Sequence, residues 1–202
     1  LSADNGAVSR RDGKWRRYGT EDGLMDAPIR LINGPGGVLW AAGSHRSVAS
    51  TGRFQPGADG SVTGRWRIET HPRLAWGIDA RAIHVAADSS IWFGAPNGRP
   101  GEGRQAGLIQ YVPSGRPGSG TGRWVKHAPP HAPPRCYGIG ETPDGGIWGG
   151  VIGLNRFDGT VWHEISEPPE LTVPFIQWIC TGRDGRMWVG TQLYGILTYE
   201  RG

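Results

Sequence analysis

Asp184-Gly185-Arg186-Met187-Trp188-Val189-Gly190-Thr191, followed by Gly195-Ile196-Leu197-Thr198-Tyr199, decides the fold. An Asp-Gly pair between apolar runs marks a tight turn, because the turn needs a positive φ that Gly adopts without a Cβ clash. The apolar residue and Trp that follow open a short strand, and Gly190 suits a tight turn or close backbone approach behind it. Gly195 then starts an alternating run, the signature of another half-buried strand. Ile179 stands nine residues before Trp188, in a strand that leads into the turn.

The same pattern recurs upstream. Trp follows an apolar residue at Leu39-Trp40, Ile91-Trp92 and Ile147-Trp148, and a turn pair precedes each: Gly36-Gly37, Asp88-Ser89 and Asp144-Gly145. The residue nine before each Trp is apolar throughout: Leu31, Ile83, Ile139 and Ile179. Gly-Leu or Gly-Ile runs interleave at Gly107–Tyr111, Gly153–Phe157 and Gly195–Tyr199, with a weaker copy at Gly6–Arg10. A third series is a turn followed by Trp, at Trp15, Trp66, Trp124 and Trp162. Each unit therefore reads as four short antiparallel strands, a to d.

The four tryptophans of strand b stand 52, 56 and 40 residues apart. The excess lies in Gly/Pro/Ser-rich insertions at 55–63, 95–106 and 113–121, while the step from each strand-d Trp to the next strand a hardly varies. Repeated four-stranded units of about 40 residues predict an all-β chain, a β-propeller of about four blades. The expected division is a partial blade at 1–25 (strands c and d), blades at 26–70, 71–127 and 128–166, and a blade lacking its last strand at 167–202. A slice of a larger ring, or a ring completed by self-assembly, is favoured over a small closed ring, in which the N-terminal c-like strand would be redundant. Both Trp series are expected to fill the wedges between blades.

The repeat resembles the two-component regulator propeller repeat. The residues that carry the likeness are Tyr18, Glu21-Asp22-Gly23-Leu24, Gly37-Val38-Leu39-Trp40, Gly153-Leu154-Asn155-Arg156-Phe157-Asp158-Gly159 and the Asp184–Thr191 run. The resemblance implies the sensor region of a periplasmic or extracellular two-component-type signalling protein. It would bind a small-molecule or saccharide-like ligand, or a partner, and pass that state to a signalling module outside this chain. Ser89, Ala95 and Ala41-Ala42 depart from the usual pattern. Trp92-Phe93 is also similar to streptogramin lyase propellers, which keeps a lyase-type enzyme as the alternative, beside a plain interaction scaffold. The Thr-Glu that normally follows that pair is absent, and no His/Glu catalytic set matches. No catalytic residue, metal or cofactor is therefore assigned.

Composition agrees with this reading. The 202 residues include 35 Gly and 16 Pro, which alone would suggest low complexity, but also 10 Trp, which disordered chains lack. The net charge of +4 comes almost wholly from scattered arginines, Lys14 and Lys126 being the only lysines. No basic stripe of the nucleic-acid-binding kind results. No stretch approaches the roughly 20 apolar residues of a membrane span. The start at Leu1, without a charged-then-apolar leader, reads as a mature protein or an excised domain. Cys136 and Cys180, placed in a strands of neighbouring blades, are expected to be buried free thiols. His127 and His131, among four prolines, read as part of an extended connector. A ligand is expected at the mouth of the central channel, where strands a begin. The candidates there are Arg30, Trp76, Asp79, Arg81, Arg135, Tyr137, Gln177 and Trp178, a polar rim of arginines and aromatics suited to an anionic or sugar-like ligand.

Overall fold

The computed structural model describes residues 2–3, 6–56, 64–96, 107–115, 121–166, 169 and 175–200. They form an all-β propeller of five antiparallel sheets, each meandering from one strand to the next. Blade I holds β1 (Ser2–Ala3), β2 (Gly6–Arg11) and β3 (Lys14–Tyr18). Blade II holds β4 (Ala27–Asn33), β5 (Leu39–His45), β6 (Val48–Gln55) and β7 (Arg65–Thr70). Blade III holds β8 (Ile83–Val85), β9 (Ile91–Gly94), β10 (Leu108–Pro113) and β11 (Gly122–His127). Blade IV holds β12 (Gly138–Glu141), β13 (Ile147–Gly150), β14 (Leu154–Phe157) and β15 (Trp162–Ile165). Blade V holds β16 (Ile176–Thr181), β17 (Met187–Thr191) and β18 (Ile196–Tyr199). Most of the three long insertions, at 57–63, 97–106 and 116–120, lies outside the described residues.

The turns between strands a and b follow from their side chains. The carboxylates of Asp88, Asp144 and Asp184 accept hydrogen bonds from the backbone N–H two residues on, at 2.8, 3.1 and 3.1 Å. The residue between takes a positive φ: 79° at Gly145, 81° at Gly185, and 71° even at Ser89. The carboxylate thus holds the turn, which lets Ser89 stand where the repeat usually has Gly.

Packing is between blade faces. Trp40 leads the cluster that joins blades II and III, Trp92 the one that joins III and IV, and Trp148 the one that joins IV and V. These three are 2%, 1% and 1% exposed. The indole N–H groups of Trp92 and Trp148 are satisfied at the turns, by Ser90 Oγ at 3.0 Å and Thr142 Oγ1 at 2.9 Å. Backbones approach closely at the seam: a Cβ on Gly94 would meet those of Ala82 and Cys136 at 2.7 Å.

The end faces differ from the expected wedge packing. Trp188, in the register of Trp40, Trp92 and Trp148, is 37% exposed, and Trp15, in the register of Trp66, Trp124 and Trp162, is 64% exposed. The cause is geometric. A strand-b Trp is covered by the following blade and a strand-d Trp by the preceding one, and no described blade follows V or precedes I. The same bare face corrects the expectation for Cys180, which is exposed; Cys136 is buried, and both thiols are free. Cys136 also lies two residues before β12, not inside a strand. Its burial pushes the thiol pKa up to about 12. A thiol reagent is therefore expected to titrate one cysteine per folded chain and two after denaturation. Two reactive thiols in the native protein would contradict this packing.

His127 likewise departs from the connector reading. It ends β11, with its ring 4.7 Å from that of Trp92. Its Nδ1 accepts the indole N–H of Trp162 at 3.2 Å. It belongs to the seam between blades III and IV.

Candidate functional site

Two bulges shape the channel mouth. In β4, Pro28 pairs with Gly43 and Arg30 with Ala42, which leaves Ile29 as an extra residue. In β16, Ile176 pairs with Thr191 and Trp178 with Gly190, which leaves Gln177 extra. A bulge bends its strand and re-aims the neighbouring side chains. Both bulges fall at the start of the innermost strand, eleven residues before the blade's Trp.

The re-aimed groups meet. The Arg30 guanidinium donates to the Ala80 carbonyl at 2.6 Å and lies 5.6 Å from the centre of the Trp178 ring. Arg81 donates to both carboxylate oxygens of Asp79, each at 2.9 Å, and to Gln177 Oε1. Its guanidinium stacks 4.1 Å over the ring of Tyr137. The Asp79 hydrogen bonds push the Arg81 pKa up. Blades II, III, IV and V thus each contribute to one connected rim.

Six of the eight expected residues are brought together: Arg30, Asp79, Arg81, Tyr137, Gln177 and Trp178. Trp76 and Arg135 are exposed and take part in none of these contacts. The Ala80 carbonyl was not foreseen, since a backbone acceptor leaves no mark in side-chain identity. The chemistry divides in two. Arg81 is neutralised by Asp79 and braced by Tyr137 and Gln177, so it acts as a clasp between blades. Arg30 keeps no carboxylate within ion-pair distance among the described residues, and Trp178 presents a 44% exposed indole beside it. A cation next to an aromatic plane offers hydrogen bonds and stacking to an anionic or sugar-like group. Asp79 is committed to Arg81, so the rim shows no pair of free carboxylates for acid–base work.

A cavity of about 520 Å³ lies away from the mouth, between blades IV and V, beside the turns at Asp144 and Asp184. Trp148, Ile165 and Tyr199 line it with charged side chains. No motif or spacing in the chain points to it.

Residues 170–192 match the family described as "Two component regulator propeller". No curated protein matches the chain. Among solved structures, the chain is similar to the extracellular domain of the hybrid two component system BT4673 from B. thetaiotaomicron, at 18% identity and a TM-score of 0.69 over 99% of this chain and 26% of that one. It is similar to PorZ of Porphyromonas gingivalis, a surface component of the type-IX secretion system, at 17% identity and 0.65, over 98% of this chain and 30% of that one. It is also similar to virginiamycin B lyase from Staphylococcus aureus, at 17% identity and 0.58, over 98% of this chain and 64% of that one. The chain spans only about a quarter to a third of the first two proteins. At these identities the likeness is one of fold, shared by sensor-type and enzyme propellers. No helix among the described residues is long and apolar enough to cross a membrane.

Proposed function

We propose that this chain, a β-propeller carrying a two-component regulator propeller repeat, is a non-enzymatic sensor region. It works in the periplasm or outside the cell, binds an anionic saccharide at its channel mouth, and passes that state to a signalling module beyond this segment. The observation that carries the reading is the pairing of Arg30 with the exposed Trp178. The guanidinium would take a carboxylate or sulfate, and the indole would stack on the sugar ring. Because four blades meet at this rim, an occupied mouth would stiffen their mutual arrangement, a change that an attached module could read.

Calorimetric titration of the purified chain with uronate and sulfated oligosaccharides tests this. Saturable binding is expected, weakened about tenfold or more by Arg30→Ala or Trp178→Ala, the loss of a charge-assisted or stacking contact. Arg81→Ala is expected to lower stability as well as affinity. Absence of binding to these probes, or binding unchanged by both substitutions at Arg30 and Trp178, would sink the proposal.

A further inference from the structure

The mouth that is to hold an anion carries a carboxylate of its own, Asp79. This residue opens a four-residue turn, closed by a hydrogen bond from the Ala82 N–H to the Asp79 carbonyl at 3.1 Å. The turn is tied twice to the end of β9. The Asp79 N–H donates to the Gly94 carbonyl at 3.1 Å, and the Gly94 N–H to the Ala82 carbonyl at 2.7 Å. The Asp79 side chain braces the same turn, since its Oδ1 accepts from the backbone N–H and from Nε of Arg81, each at 2.9 Å. Its Oδ2 accepts from Nη2 at 2.9 Å, which leaves Nη1 for Gln177 and the guanidinium plane for Tyr137. Gln177 is the bulged residue of β16, and Trp178 follows it directly. From the middle of the turn the Ala80 carbonyl accepts from Arg30, which lies over the Trp178 ring. The contacts therefore close into a circuit: Asp79, Arg81, Gln177, Trp178, Arg30 and Ala80. The Asp79 side chain is only 15% exposed and has both oxygens engaged, so it has nothing to offer a ligand.

We infer that Asp79 is a positioning residue of the mouth, one whose negative charge strengthens the capture of an anion that it never touches; the inference rests on the reading of Arg30 and Trp178 as the anion site. Two effects of the carboxylate oppose each other. By its charge alone it repels an anion, but Arg81 neutralises it at 2.9 Å and water screens what is left at an open rim. As the anchor of Arg81 it fixes a planar fork whose free end holds the bulge that carries Trp178. The second effect is the larger. Without the carboxylate, Arg81 would become a second cation at the mouth, but a mobile one that a ligand would have to immobilise. Gln177 would lose its fixed donor, and the indole would lose its fixed place beside Arg30. Asp79 thus acts on the ligand through Arg81 and Gln177, across blades III and V.

The test uses the full chain and the sign of one substitution. Asp79→Asn keeps the shape and removes the charge. Charge alone would make it bind uronate and sulfated oligosaccharides more tightly; loss of position should make it bind them about fivefold more weakly by calorimetry. Gln177→Ala, which leaves the Asp79–Arg81 pair intact, should weaken binding by a similar factor and decides alone if Asp79→Asn does not fold. A second readout needs no ligand. The Ile176 N–H, at the start of the bulged strand, donates to the Val151 carbonyl at 2.8 Å. Its hydrogen exchange should quicken severalfold in both variants, while exchange in β6 stays as in the parent. Tighter or unchanged binding by Asp79→Asn would overturn the inference, and so would unchanged exchange at Ile176 in both variants. If the parent binds none of the probes, the reading of Arg30 and Trp178 falls, and the exchange rates still uphold or overturn the role of Asp79.

Discussion

Trp92→Ala is expected to destabilise the propeller by about 4 kcal/mol, the usual cost of removing a fully buried Trp. The side chain is 1% exposed and touches His127, Phe157 and Trp162, so the void would open in the middle of the seam between blades III and IV. Neighbouring seams share no residue of this cluster, and a repeat protein's stability is close to a sum of nearest-neighbour contacts. The loss should therefore be local. Urea unfolding followed by tryptophan fluorescence should shift to lower urea and broaden, as blades I to III separate from IV and V. A loss under about 1 kcal/mol would mean that the seam does not depend on its Trp.

Acid is expected to have the second largest effect. Burial lowers the pKa of His71 and of His127 from 6.5 to about 4. His127 uses Nδ1 to accept from Trp162 and Nε2 to contact Gln110 Oε1 at 3.2 Å, an arrangement that suits the neutral ring. His71 sits 3.0 Å from Thr51 Oγ1, with its ring 4.6 Å from that of Trp124. Both folded-state values lie below the unfolded value, so the unfolded chain takes up protons first. The stability these rings contribute is complete above pH 6.5 and is lost as pH falls toward 4. Each proton taken up costs about 1.4 kcal/mol per pH unit. His71 alone should cost about 3 kcal/mol by pH 4, and His127, discounted for its remaining contact with water, adds a smaller share. Urea midpoints at pH 7 and pH 4.5 for the parent and for His71→Gln/His127→Gln measure this. The double variant should have a markedly flatter pH dependence, and an unchanged one would remove the histidines from the explanation.

The blade pattern was legible because it rests on local chemistry. Asp144-Gly145 and Asp184-Gly185 each specify a turn through their own carboxylate and φ, and Trp40, Trp92 and Trp148 are bulky enough to demand a seam. The exposure of Trp15, Trp188 and Cys180 was not legible, since it depends on which blade lies next door and their own residue types say nothing of that. The channel mouth was partly legible: counting eleven back from each Trp found Arg81, Tyr137 and Gln177. The count could not show that Asp79 neutralises Arg81 while Arg30 turns to the Ala80 carbonyl. That division depends on bulges at Ile29 and Gln177; Pro28 flanks the first, and the residues beside the second, Ile176 and Trp178, mark no bulge. The cavity beside Tyr199 was not legible because it is a space between two blades.

The unequal ends of the molecule give it a direction. A seam joins the strand-b Trp face of one blade to the strand-d Trp face of the next, so Trp188 and Trp15 are opposite poles of one kind of joint. Two like poles have nothing to interlock. Any blade added at the Trp188 end must present its strand-d face, and any added at the Trp15 end must present its strand-b face. Every joint of the array therefore has the same polarity, whichever end a blade is added to.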